Sequence, residues 1–215
     1  MKQFAVIGLG RFGSSVAKTL TAQGYEVLAI DDDQGRIQEI APIVTHAIQA
    51  DAKDEQTLKA IGIRNFDVVI VAIGQDIQAS ILVTVLLKEL GVKYVVTKAT
   101  NDLHGKVLTK VGADKVVYPE RDMGARVAHS LVSSNVLDHI EISPDYSILE
   151  VIAPESLVGK NLKESGLRAR LGVTILALRR GKEIIVSPSP DVPIQENDIL
   201  VAIGENNNLR SIEQE

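Results

Sequence analysis

Short apolar runs punctuate the first part of the chain at fairly regular spacing. They fall at residues 4–7, 27–30, 44–48, 68–73, 94–97 and 116–118. Most are rich in β-branched residues and bounded by Gly, Asp or Asn, so they read as strands. The segments between them carry helical spacing: Val16 and Leu20 in one, and Ile77, Ile81 and Val85, flanked by Leu82 and Leu86, in another. Strand–helix–strand alternation implies parallel strands joined by right-handed crossovers. The pattern predicts an α/β protein, with a Rossmann-like doubly wound parallel sheet filling residues 1 to about 119.

The rhythm then changes. Residues 120–139 read as one longer helix, with Met123, Val127, Leu131 and the pair Val136/Leu137 along one apolar stripe. That stripe fits either packing on its own sheet or packing on another subunit. Beyond Glu141, residues 148–153, 173–179, 183–187 and 199–203 read as strands and 162–171 as a short helix. Arg179-Arg180-Gly181-Lys182 makes a turn, and Pro188 and Pro190 break the next loop. This predicts a small α+β lobe. The expected domains are 1–139, ending in a crossover helix, and 140–215, with the Ser143-Pro144-Asp145 loop at the junction.

Composition sharpens the picture. Hydrophobic residues make up 45% of the chain but aromatics only 3%, so the cores must be built from aliphatic side chains. Sheets buried on both faces have that content. The net charge of −5 argues against a nucleic-acid partner, which usually meets a basic field. The absence of cysteine excludes disulfides, thiolate zinc sites and thiol nucleophiles. The apolar run at the N-terminus is too short for a signal peptide and no stretch approaches the roughly 18 apolar residues that span a bilayer. A cytoplasmic protein is the expectation.

The chemistry concentrates in Gly8-x-Gly10-x-x-Gly13. A predicted strand precedes it, a predicted helix follows, and Asp31 ends the next strand, which is the context a dinucleotide fingerprint requires. Gly8 permits the tight turn, Gly10 lets backbone approach a pyrophosphate, and Gly13 lets helix lie close to strand. The helix N-terminus offers free N–H groups and a positive dipole end. Asp31 suits a ribose diol and disfavours a 2′-phosphate, pointing to NAD, ADP or ATP. Arg11 is a solvated arginine or a cation beside phosphates. Ligands gather outside the carboxyl ends of parallel strands, which draws in Asp51, Ala52, Ala72, Ile73, Gly74 and Lys98; Phe12, within the turn, and Asp32, beside Asp31, complete the candidate set. Asp51 reads equally as a contact to a base or a helix cap. Gly74 makes room for a nucleotide or for a turn, and Lys98 reaches phosphate or solvent. Glu120 either favours a helix N-terminus by its charge or meets a divalent cation.

A dehydrogenase would need a substrate lobe supplying an acid or base. His46, His104, His129 and His139 lie in no recognisable catalytic or metal-binding motif, and nucleophile-elbow, Walker-lysine and zinc-protease motifs are absent. The reading is therefore a binding or sensing module rather than an enzyme, with a small NAD-dependent oxidoreductase as the alternative.

The text of the chain also resembles a family. The residues that carry the resemblance are 4–13, Leu58-Lys59-x-x-Gly62-Ile63-Arg64-Asn65-Phe66-Asp67, Val71-Ala72-Ile73-Gly74-x-x-Ile77-Gln78-Ala79-Ser80, and Pro119-Glu120-Arg121-Asp122-Met123. Lys106-Val107-Leu108-x-Lys110-x-Gly112-Ala113-Asp114 and, in the second lobe, Gly159-Lys160-x-Leu162, Arg168-Ala169-x-x-Gly172-Val173 and 184–188 extend it. These resemble the regulatory subunits of Ktr-type potassium-uptake systems, in the RCK (regulator of potassium conductance) family related to the Trk regulators. The resemblance implies a non-enzymatic gate: dimers assembled into an octameric ring, attached to the inner face of the membrane through a potassium-translocating subunit. It implies ATP or ADP in the first lobe, with NAD(H) as the signal in Trk-type relatives. It places Arg11 at a neighbour's terminal phosphate and Glu120 near a divalent cation such as Mg or Ca. It implies cyclic di-AMP at the second lobe through Leu162, Arg168, Thr174, Ile175 and Pro190, with Thr174 standing where some relatives have Asn.

Overall fold

The computed structural model describes residues 2–132 and 136–213, the side chains of 129, 130, 132 and 213 excepted. The chain parts into two compact units, Met1–Glu120 and Arg121–Glu215.

In the first unit, β1 (Gln3–Ile7), β2 (Glu26–Asp31), β3 (His46–Gln49), β4 (Val68–Val71), β5 (Val95–Lys98) and β6 (Lys115–Val117) form one sheet. Its order is β3-β2-β1-β4-β5-β6, and every pairing is parallel. Because the sheet is covered on both faces, its strands are apolar throughout rather than alternating. Two clusters result. One gathers Ala5, Ile7, Leu28, Ile30, Val69 and Val71, and the other Val6, Val27, Ala29 and Ile70. Each fully buried Ile or Leu among them contributes roughly 1.5–3 kcal/mol. The chain runs outward in both directions from the β1/β4 pair, so the strand order reverses there. A crevice opens beyond the carboxyl ends at that reversal.

The connecting helices are α1 (Arg11–Ala22), α2 (Gln34–Ile40), α3 (Glu55–Ile61), α4 (Ile77–Glu89) and α5 (Asp102–Lys110). On α1 the buried residues are Gly13 and Ala17, small side chains that let the helix lie close to the strands.

The expected helix over 120–139 is shorter than its apolar stripe suggested. Helix α6 covers Pro119–Val132, with proline pre-set for the first helical turn. Residues 136–141 are instead strand β7 (Val136–Glu141), paired antiparallel with β8 (Tyr146–Ile152). Met123, Val127 and Leu131 are all exposed.

The second unit continues with β9 (Thr174–Arg180), β10 (Glu183–Val186) and β11 (Ile199–Glu205) in the antiparallel order β10-β9-β11-β8-β7. One face packs on Leu157, Leu167, Leu209 and Ile212 around Leu149, Val151, Leu178 and Leu200. The helix expected over 162–171 is two, α7 (Leu162–Ser165) and α8 (Leu167–Leu171), divided at Gly166, whose φ of 67° is left-handed. A closing helix, α9 (Asn206–Glu213), was not signalled by periodicity. Asp198 is buried and receives the Arg180 guanidinium through two hydrogen bonds, of 2.9 and 2.8 Å.

Candidate functional site

The crevice at the strand-order reversal is a cleft of about 550 Å³, within the range of small-molecule sites. Its geometry starts at β1. The strand ends at Ile7 and the chain turns through Gly8, whose φ is +91°. A Cβ on Gly8 would also lie 3.1 Å from the backbone of Ala72 and Ile73, so both conformation and space call for glycine. The Gly8 N–H donates to the Ile30 carbonyl at 2.9 Å, which ties the turn to β2. Gly10 has open space where a Cβ would stand, on the cleft side. Gly13 lies behind the turn, and a Cβ there would be 1.9 Å from the Gly8 carbonyl oxygen.

Helix α1 begins differently from its neighbours. Asp33, Asp54, Asp76 and Asn101 each cap their helix with a side-chain oxygen, whereas α1 starts at Gly10 with no side-chain cap. Its first N–H groups are left to whatever enters the cleft, at the positive end of the helix dipole.

Asp31 is 5% exposed. One carboxylate oxygen accepts from the Leu9 N–H at 2.5 Å and from Arg36 at 3.4 Å, the other from the Asp33 N–H at 2.9 Å. Burial by itself would raise its pKa; the Leu9 and Asp33 N–H groups and the Arg36 charge outweigh that and hold it below the usual carboxylate value. A carboxylate has about four acceptor positions. With three filled, about one remains for an incoming hydroxyl. Asp31 thus locks the glycine turn as well as facing the cleft.

Lys98, which closes β5, also lines the cleft. Its ammonium donates to Glu120 at 2.6 Å and lies 5.9 Å from the centre of the Phe12 ring. The lysine side chain is 13% exposed and the glutamate 68%. The Lys98 hydrogen bond lowers the Glu120 pKa, burial opposes it, and the charge of Arg11 adds to the lowering. Arg11 is exposed and has no ion pair among the described residues. Two cations and one carboxylate therefore stand around the glycine turn.

Of the sequence-predicted nucleotide residues, Gly8, Gly10, Arg11, Phe12, Asp31, Asp32, Asp51, Ala52, Ala72, Ile73, Gly74 and Lys98 all line this cleft, as does Glu120; Gly13 supports it from behind. Asp51 is no helix cap: it accepts from the Lys53 N–H, and Asp54 caps α3. Gly74 leaves room for Lys98, whose Nζ would be 3.3 Å from a Cβ there. The structure adds Arg36, Lys53, Gln75, Asp76 and Thr100 to the walls. Nothing in the spacing signalled Arg36. Its place depends on α2 turning back over Asp31.

Among the described residues no group of three His, Asp or Glu comes together as a metal cluster. His46 is exposed and His139 half-buried, and the His129 side chain lies outside the described residues. His104 is buried at 2% exposure; its Nδ1 accepts from the Thr100 N–H at 3.3 Å, and its Nε2 has no partner among the described residues. Burial lowers its pKa.

In the second unit the backbone brings two of the predicted cyclic di-AMP residues side by side: the Lys163 N–H, next to Leu162, donates to the Pro190 carbonyl at 2.9 Å. Leu162 and Ile175 pack partly on one core. Thr174 is half-buried at the start of β9, and Arg168 is exposed on α8.

No helix among the described residues is long and apolar enough to cross a membrane. Residues 4–119 match the TrkA-N domain family and residues 147–215 the TrkA-C domain family. The chain is 53% identical to Ktr system potassium uptake protein C of Bacillus subtilis, over 94% of this chain and 92% of that protein. It is 47% identical to Ktr system potassium uptake protein A of the same organism, over 100% and 96%. Its fold is similar to the crystal structure of the GsuK RCK domain, with a TM-score of 0.70 at 18% identity over 99% of this chain. The chain spans 47% of that structure's chain. The protein belongs to the TrkA-N/TrkA-C domain family, with the Ktr potassium-uptake proteins.

Proposed function

We propose that the chain is a non-enzymatic regulatory subunit of a potassium-uptake system. It binds ATP or ADP in the cleft of the first unit and controls a membrane potassium-translocating partner. One observation carries the nucleotide reading: α1 alone among the first five helices lacks a side-chain cap, and Arg11 and Lys98 line the same cleft as its start. That arrangement suits polyphosphate. Asp31 takes a ribose hydroxyl. NAD and NADH fit the same turn and ribose acid, so NADH belongs in the binding test.

ATP and ADP share adenosine and two phosphates, and only ATP brings a third. A ligand shifts an equilibrium by its differential affinity for the two states. Exposed and without an ion pair among the described residues, Arg11 is suited to a third phosphate held by another copy, in dimers assembled into an octameric ring. Glu120 supplies one carboxylate, short of the oxygen set that Mg or Ca takes. A divalent cation there needs phosphate oxygens and a second copy as well. Leu162, Arg168, Thr174, Ile175 and Pro190 form the proposed cyclic di-AMP surface, apolar for a base with Arg168 for phosphate. The subunit works in the cytoplasm, held at the inner membrane face by its partner.

Calorimetric titration with ATP, ADP and NADH tests this. Arg11→Ala is expected to leave ADP affinity largely intact and weaken the ATP preference. A variant that discriminates ATP from ADP as wild type does refutes the Arg11 role. Turnover of NADH without a partner would refute the regulatory reading.

A further inference from the structure

Lys98 is a mostly buried ammonium with one carboxylate partner, Glu120, at 2.6 Å. The two arrive from different elements, one at the end of β5 and the other in the first turn of α6, 22 residues apart. Both line the cleft beside the glycine turn, and Phe12, in the first turn of α1, lies under the lysine ammonium. Gly74 lines the cleft beside the lysine chain, and a Cβ there would lie 3.3 Å from the Lys98 ammonium, so glycine leaves the ammonium room at the cleft wall. A phosphate entering beyond the turn therefore meets a cation already engaged. Mostly exposed, Glu120 loses little by returning to water, whereas Lys98, mostly buried, needs an anion in its place.

We propose that Lys98 is a specificity-determining residue that reads how many phosphates the ligand carries, with Glu120 as its built-in competitor. This rests on the nucleotide reading above. A monophosphate is met by the helix N–H groups and leaves the Lys98–Glu120 pair intact. A longer phosphate chain takes the ammonium from Glu120. The carboxylate thus sets a threshold: it weakens binding of short and long chains unequally, and only through Lys98.

The test is calorimetric titration of the full-length protein with AMP, ADP and ATP in buffer containing EDTA, so that no divalent cation bridges Glu120 to phosphate. Glu120→Gln is expected to tighten ATP binding about tenfold, equivalent to about 1.4 kcal/mol, and to change AMP binding less than about twofold. Lys98→Met is expected to weaken ATP binding, and the double variant to match Lys98→Met alone. That last comparison separates a competitor from simple removal of negative charge, which would tighten ATP binding in either background. A Glu120→Gln gain that persists beside Met at position 98 overturns the proposal while leaving nucleotide binding intact, as does no gain or an equal gain for AMP. Failure of wild type to bind any of the three overturns the nucleotide reading and this proposal with it.

Discussion

Gly13→Ala puts the site's construction to the hardest test, because it adds one methyl group and no charge. The new Cβ would lie 1.9 Å from the Gly8 carbonyl oxygen and 3.0 Å from the Ala72 Cβ. The obstacle at the shorter distance is backbone, and Gly8 is itself tied to Ile30. The turn and α1 must therefore part by more than about an ångström to reach ordinary contact distances. Overpacking of this kind costs about 1–3 kcal/mol, offset by about 1 kcal/mol because alanine is the better helix former. The net loss of folding stability should be modest, about 0–2 kcal/mol. Binding should suffer more. The helix N–H groups proposed to meet phosphate move with the turn, and each charge-assisted hydrogen bond lost costs about 1.5–3 kcal/mol. Loss of two lowers ADP affinity at least about a hundredfold. Urea titration followed by circular dichroism gives the first quantity and calorimetry with ADP the second. A folded Gly13→Ala protein that binds ADP within about threefold of wild type would refute the assignment of the turn as the phosphate site.

Other predictions concern groups outside the cleft lining. Asp198→Ala removes a buried carboxylate from Arg180 and from the Gln195 N–H. Since Arg180 keeps some exposure, the expected loss is at the low end for a broken buried pair, about 3 kcal/mol by urea unfolding; a loss below about 1 kcal/mol would contradict it. Burial alone raises the Asp198 pKa, but Arg180 and the Gln195 N–H hold it net below the usual value. The stabilisation is therefore complete above the unfolded pKa of about 3.9 and fades as pH falls toward the lower folded value. His104 has the folded pKa of a buried imidazole, below about 6.5. Below that pH the unfolded chain takes up a proton that the folded one refuses, so stability falls as pH drops from there toward the folded pKa. Comparing urea midpoints at about pH 7.5 and pH 5.5, His104→Gln should show a smaller fall than wild type; an equal fall would assign the effect elsewhere.

Much of the first unit was legible because its strands announce themselves. Strands covered on both faces must be apolar along their whole length, so residues 4–7, 27–30 and 68–71 stand out from polar flanks. The second unit was harder. In β7, the step from Leu131 to Val136/Leu137 fits a helical stripe, and only the β8 partners Val151 and Ile148, opposite Val136 and Ile140, make it a strand. The break between α7 and α8 depends on one left-handed glycine. Asp31 was legible as a cleft acid but not as the lock on Leu9, since that bond joins residues 22 apart.

What the sequence determined by itself is the alternation of apolar strands and helices, the glycine turn, and the acid at the end of β2. These are local: each follows from β-branching, helical period or the conformational freedom of glycine. Only the tertiary structure decided which charges meet. Arg36 reaches Asp31 because α2 turns back over the strand end, and Lys98 reaches Glu120 because β5 and the start of α6 end beside one turn. Coulomb interactions depend on distance in space, and no spacing along the chain encodes that distance until the sheet has been assembled.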